Sequence, residues 1–316
     1  MKWTESSIVT RAEVQARRVK VPLAHNLDIV DLGTSAFKKA EEDYVGAFAA
    51  GLAYKGIFAT FLFVVFLLSL LGVFRASDLV NTLLDRLSMA MPEAVTVVIR
   101  SQVDNVRGQR SGSAFTLSAV VAVLAALWGI SGAFRYAMQA LNVMYKVRDR
   151  RPLWRQYLVS LLLSFAVTAL TISAALLVAF GPGIGSRLGR IVGMGPLGRW
   201  TLNVLQWPVL IGLMLLAFAL VYYYAPDVEQ EFRFITPGSF IGVGLWLLFS
   251  MLFLLFVETL GTYNRLYGAV AGVAIHMFYM YYFSYILLFG AEINQIVEAN
   301  HPDGKDPGER TADDGD

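Results

Sequence analysis

The sequence predicts an all-α, polytopic membrane protein of six spans, and three observations carry that expectation. Of its 316 residues 56% are hydrophobic, with a mean hydropathy of +0.56, which moves the chain from the two soluble domains its length suggests to a membrane class. Its apolar runs reach or exceed the roughly 20 residues that a helix needs to cross a bilayer. Its positive charge is concentrated in one short connection, where it sets orientation rather than fold.

The N-terminal 1–43 is polar and reads as a tail with a short helix near Thr10 to Glu13, where a weak capping box stands. It holds no apolar core of the kind a cleaved secretory signal needs, so the first span is expected to act as the insertion signal. The membrane domain is expected over 44–296, with spans near 44–74, 114–134, 157–180, 203–224, 239–260 and 267–291. A polar tail over 297–316, rich in Gly and Asp, has the composition of a disordered segment.

The first span carries Gly46, Ala50, Ala53 and Gly56, a small-residue stripe that lets a second helix approach closely. Lys55 interrupts it near its inner edge, either snorkelling to the headgroups or serving as an intramembrane polar group. The connection over 75–113 places Leu79, Leu83, Leu84 and Leu87, then Val95, Val98, Ile99 and Val103, at helical spacing around Pro92. Two short amphipathic helices on the outer membrane surface are expected there.

After the second span come Lys146, Arg148, Arg150, Arg151 and Arg155. In a short loop between spans such a cluster means cytoplasmic retention and attraction to anionic headgroups, and nucleic acid is not expected as a partner. The third span is expected to stop at Gly181-Pro182-Gly183. The fourth ends in Tyr222-Tyr223-Tyr224, an interfacial aromatic belt, before Pro226 and Asp227.

The last two spans form a hairpin that Pro237 opens and a polar turn, Gly261 to Leu266, divides. Gly238, Gly242, Gly268 and Gly272 are its candidate packing residues. The intramembrane ionisable set is Lys55, Glu258, His276 and Glu292, and a Lys55–Glu292 pair across the first and sixth spans would lower the cost of both charges. His276 is a candidate for proton coupling or a neutral, hydrogen-bonded core residue.

Chemistry is thin. With no cysteine and only three histidines there is no thiolate or zinc-hydrolase ligand set, no G-x-S-x-G elbow and no phosphate-binding loop. No catalytic residue, metal site or cofactor is assigned, and the chain is not expected to be an enzyme.

Several stretches carry a family resemblance. In the first span A-A-G-L-A-Y-K, residues 49–55 including Tyr54, is followed after the second by Ala140-Leu141-Asn142, then by Tyr222 to Pro226 and by Pro237-Gly238-Ser239 with Trp246. Tyr263-Asn264 with Tyr267-Gly268, and finally Gly290-Ala291-Glu292, complete the set. The combination resembles the YihY/BrkB family of bacterial inner-membrane proteins, once labelled ribonuclease BN; Lys55 departs from it, standing where the family usually has a second Tyr.

The resemblance implies a six-helix plasma-membrane protein with cytoplasmic termini, tied to envelope integrity. The leading expectation is a transporter or translocator of a lipid or other amphipathic envelope component, with membrane lipids as partners and a lipid or lipid-linked molecule as substrate. A non-catalytic scaffold for envelope assembly is the alternative, and a ribonuclease a distant one. The small-residue stripes suit contacts within one chain or in a homo-oligomer.

Overall fold

The computed structural model describes residues 29–73, 113–191, 196–228, 230, 232–259 and 261–300, with backbone alone at 29, 64–73, 113–120, 122–123, 179, 181–191, 196–203, 258–259 and 261–271. The expected helices of 75–113, apart from residue 113 itself, the capping box near Thr10 and the tail beyond 300 lie outside these residues. Every described element is helical: α1 Ile29–Glu42, α2 Val45–Val73, α3 Ser113–Met144, α4 Leu153–Ile191, α5 Pro196–Tyr224, α6 Pro237–Thr259 and α7 Gly261–Ala299. Five stretches are long and apolar enough to cross a membrane: Val45–Phe63, Leu153–Val178, Val204–Tyr224, Pro237–Val257 and Gly272–Ala299. With 32 residues, α3 is also longer than a crossing requires.

Each long helix packs on the next in chain order, and α7 closes the ring by packing on α2. The antiparallel alternation brings the start of α2, α4 and α6 and the end of α3, α5 and α7 to one end, which also holds Lys146, Arg148, Arg150, Arg151 and Arg155. This is called the basic end below.

Three expectations change. The last third of the supposed tail is a helix, α1, whose Leu32, Ala36 and Ala40 bury one stripe against the bundle while Lys38 and Glu42 stay outside. That spacing of four residues is helical and short, and polar neighbours dilute it in the sequence. Gly181, Pro182 and Gly183 do not end α4, which runs on to Ile191. A helix keeps its backbone hydrogen bonds internal where water is scarce, so Pro and Gly break membrane helices less readily than soluble ones. For the same reason the polar turn Gly261 to Leu266 is the first part of α7 rather than a loop.

The ends of several helices are fixed by local chemistry. Ser239 donates its N–H to Thr236 Oγ1 (3.1 Å) while Thr236 donates its own N–H to Ser239 Oγ (2.9 Å), a reciprocal cap, and Pro237 fills the first helical position of α6 where its missing N–H costs least. At the same end of the ring, Lys146 takes φ 55° and closes α3, with Val147 N–H donating to the Asn142 carbonyl and Lys146 N–H to that of Val143. Tyr44, at φ 56°, makes the corner between α1 and α2.

Among the described side chains, burial lies in the half of the ring nearest the basic end. No described residue is buried beyond Ala53 in α2, before Ala126 in α3, beyond Thr168 in α4, before Leu215 in α5, beyond Val243 in α6 or before Ser284 in α7. The apolar core joins Val45, Leu141, Met144, Tyr222, Leu288 and Ile293. Beyond it the described side chains include outward-facing Leu, Phe and Trp, which suits a hydrocarbon solvent.

Candidate functional site

The seam between α2 and α7 gathers most of the polar groups the sequence singles out. Gly46 leaves room for the Tyr281 hydroxyl, and a Cβ there would sit 3.4 Å from it; Gly56 faces Met280, whose Sδ would be 3.3 Å away. Farther along, His276 Nε2 lies 3.2 Å from Thr60 Oγ1, whose hydroxyl donates to the Gly56 carbonyl at 2.8 Å. Since Thr60 has spent its one proton, it accepts from His276, which places the imidazole proton on Nε2. On the neighbouring seam Ser250 and Tyr279 hydroxyls meet at 3.3 Å, within a ladder of rings formed by Phe249, Phe253, Phe278 and Tyr282.

At the basic mouth of the α2–α7 seam, Phe37, Lys38, Tyr44, Gly46 and Tyr285 line an open groove of about 490 Å³. Behind it lies a buried charge cluster drawn from four places in the chain. Lys39 Nζ on α1 is 3.8 Å from Glu292 Oε2 on α7, and Lys146 Nζ after α3 is 3.4 Å from Asp43 Oδ1 at the α1–α2 corner. Glu292 is 0% exposed. Burial pushes Lys39 below its ordinary value despite the opposing pull of Glu292, and burial likewise raises the Tyr145 hydroxyl beside the cluster.

Glu292 therefore finds its cation on α1, not in the first span. Lys55 instead lies over the Tyr136 ring, 5.4 Å from its centroid. Lys55 lies 11 residues past the Tyr44 corner that leads to α1, so α1, hidden in the supposed tail, reaches the basic end of α7 first. Ala53 is buried as the stripe requires, but Ala50 is exposed and Ala49 takes its buried place. Gly272 has open space around it and packs against nothing described. The side chains of Glu258, Tyr263, Asn264 and Tyr267 and the surroundings of Gly268 lie outside the described residues.

The remaining motif residues are structural. Gly238 and Gly290 bring α6 and α7 into backbone contact: a Cβ on Gly238 would overlap the Gly290 carbonyl oxygen, and one on Gly290 the Tyr222 hydroxyl. Asn294 Oδ1 accepts the Gly238 N–H at 2.7 Å. Gly242 sits under the Phe218 ring. Buried Asn142 accepts the Asp227 N–H at 2.7 Å and donates to Asp149 Oδ2 at 3.2 Å, tying the connections that follow α3 and α5 together. Arg151 completes this clasp through Asp149 and the carbonyls of Tyr224 and Ala225, next to buried Pro226. Tyr54 points outward and meets the Phe58 ring edge-to-face. Sequence reasoning missed Lys39, Asp43, Tyr145 and Arg151 as participants.

The family model described as virulence factor BrkB matches residues 36–314. The chain belongs to that family. Among its relatives, the ribonuclease-like protein YfkH of Bacillus subtilis is 27% identical over 249 residues, 79% of this chain and 88% of that one. A UPF0761 membrane protein of Alteromonas mediterranea is 26% identical over 83% of this chain and 86% of its own length. Another, from Rhodospirillum centenum, is 32% identical over 155 residues, 49% of this chain and 33% of its own. No solved structure matches this BrkB-family chain. Among its described residues no three of His, Cys, Asp and Glu come together as metal ligands.

Proposed function

We propose that this BrkB-family protein moves a lipid or other amphipathic envelope component across the bacterial plasma membrane, with the α2–α7 seam as the path of the polar headgroup. The observation that carries the reading is the line of polar groups along the α2–α7 seam, in a ring whose described side chains are buried at the basic end and half-buried or exposed beyond it. A lipid needs a route of this kind, in which the headgroup follows polar side chains while its acyl chains stay in the surrounding hydrocarbon.

The seam offers polar groups at successive depths: Lys38 and Tyr44 at the mouth, the Tyr281 hydroxyl beside Gly46, and the Thr60–His276 pair deeper in. Carrying a charged or zwitterionic headgroup through hydrocarbon unaided is expensive, so even a few such contacts lower the barrier. The basic end faces the cytoplasm in this reading, because dense Lys and Arg in short connections are retained there, and both termini then lie inside.

Reconstitution of the purified chain into liposomes carrying a fluorescent phospholipid tests this. Faster exchange of the label between leaflets than in protein-free vesicles supports translocation. Exchange no faster than in protein-free vesicles, with neutral and anionic headgroups alike, opposes it.

A further inference from the structure

Arg135 carries its charge where the chain supplies no counter-charge. It lies toward the basic end of α3, and neither α3 nor α4, the helix its side chain reaches, contains an Asp or Glu. Asp149, the one acid in the connection between them, is bound by Arg151. Arg135 meets rings instead. Its guanidinium carbon stands 4.2 Å from the ring centroid of Tyr157 on α4 and 5.9 Å from that of Trp128, and these two rings stack on each other at 5.5 Å.

The side chain is held in this place. Buried Ser131 donates its hydroxyl to the Trp128 carbonyl at 2.6 Å, which leaves its oxygen to accept, and Arg135 Nη1 donates to it at 2.9 Å. Gly132 leaves room for Nη2, which a Cβ there would meet at 3.5 Å. The guanidinium therefore runs back toward Ser131 and Trp128, away from the basic end, instead of snorkelling to the water on that side. Tyr157 belongs to the first turns of the α4 span, which starts at Leu153, so the charge is level with the edge of the apolar layer. Ser131 takes one of the five N–H groups a guanidinium carries. The others meet no acceptor among the described residues, and at this depth a charge is costly until an anion joins it.

We propose that Arg135, flanked by Trp128 and Tyr157, binds the phosphodiester of one anionic phospholipid from the leaflet at the basic end. The planar fork of a guanidinium matches two phosphate oxygens, and Trp and Tyr rings sit by preference at headgroup level. The same helix faces turn apolar one turn deeper, at Leu124 on α3 and Leu161 on α4, both exposed like Trp128 and Tyr157. A lipid held by its phosphate at Arg135 lays its acyl chains over these two leucines, a contact that a free phosphate cannot make. An anionic headgroup fits better than a zwitterionic one, since it brings no ammonium of its own to compete for the phosphate. This seam is separate from the α2–α7 path, and the lipid on it is a resident one whether or not the chain moves others.

Native mass spectrometry of the full chain, released from micelles supplied with equal amounts of phosphatidylglycerol and phosphatidylcholine, tests the site. Wild type is expected to retain one phosphatidylglycerol in preference to phosphatidylcholine. R135Q is expected to weaken that preference about tenfold, the worth of a charge-assisted hydrogen bond. R150Q, which removes an exposed cation from the same end, keeps it. An unchanged preference in R135Q, an equal loss in R150Q, or release of the lipid by an equal concentration of inorganic phosphate overturns the proposal. A phosphatidylglycerol with a photoreactive acyl chain needs no variant: in the wild type it is expected to label the surroundings of Leu124 and Leu161, and labelling that leaves α3 and α4 unmarked is equally contrary.

Discussion

Tyr222 on α5 donates its hydroxyl to the backbone carbonyl of Leu287 on α7 at 2.7 Å, deep in the packed half of the ring. The same hydroxyl occupies the space that a side chain at Gly290 would need. One polar tip thus fixes the distance between two helices that are far apart in sequence. Y222F removes the donor and leaves the carbonyl, and should destabilise the protein by about 1 kcal/mol. The melting temperature of the detergent-solubilised chain measures this, and no change would place the hydroxyl outside the packing.

Close approach of α6 and α7 requires glycine at two positions and tolerates more at a third. G238A and G290A each drive a methyl into backbone or the Tyr222 hydroxyl, and each should cost about 1–3 kcal/mol as overpacking. G272A meets open space and should melt like the wild type. A comparable loss at all three positions would contradict the seam geometry.

The clasp around Arg151 predicts acid sensitivity. Burial raises the Asp149 carboxyl, but hydrogen bonds from the Arg151 side chain and backbone, its charge and Asn142 outweigh that and hold Asp149 below its ordinary value. A depressed carboxyl stabilises the fold fully above its unfolded-state pKa, and the contribution is lost as pH falls through the lower folded value. D149N should therefore flatten the fall of melting temperature below about pH 4, where unperturbed Asp titrates. An unchanged slope would assign acid sensitivity elsewhere.

N142A removes both partners of the neighbouring node, the Asp227 N–H and the Asp149 carboxylate, at a site 5% exposed. A loss of about 1–3 kcal/mol is expected from leaving a buried donor unpaired. Limited proteolysis of the connection after α5 should quicken in this variant, whereas unchanged cleavage would mean that the clasp does not hold that connection.

Lys39 and Glu292 should be energetically coupled while Lys55 and Glu292 should not. In a double-mutant cycle, K39E with E292K should recover part of the stability lost by each single exchange, whereas K55E with E292K should be additive. The reverse pattern would restore the pairing expected from the sequence.

The membrane class, the helical architecture and the contact of the last helix with the first span were legible because apolar runs and small-residue spacing are local properties. Gly46, Gly56, Gly238 and Gly290 all face neighbours. The partner of Glu292 was not legible. Choosing between Lys39 and Lys55 depends on α1 folding back onto α7, and α1 shows only Leu32, Ala36 and Ala40 as its apolar stripe. Breaker residues misled for a related reason: Gly181-Pro182-Gly183 and Gly261 to Leu266 are punctuation in water, where a freed backbone group finds solvent, and much weaker punctuation in a bilayer. Ala50 failed by one residue, since a helical stripe in an all-apolar span has no polar face to set its phase.

The central claim is that a headgroup passes along the α2–α7 seam. Because the chain has no cysteine, Cys residues placed at Gly56 and Met280, which face each other across that seam, form a clean lock once oxidised. Transbilayer movement of a fluorescent phospholipid in liposomes containing this double variant is the most direct measurement. The account predicts rapid movement in the reduced protein, arrest on oxidation and recovery on reduction; equal movement in both states, or none in either, would contradict it.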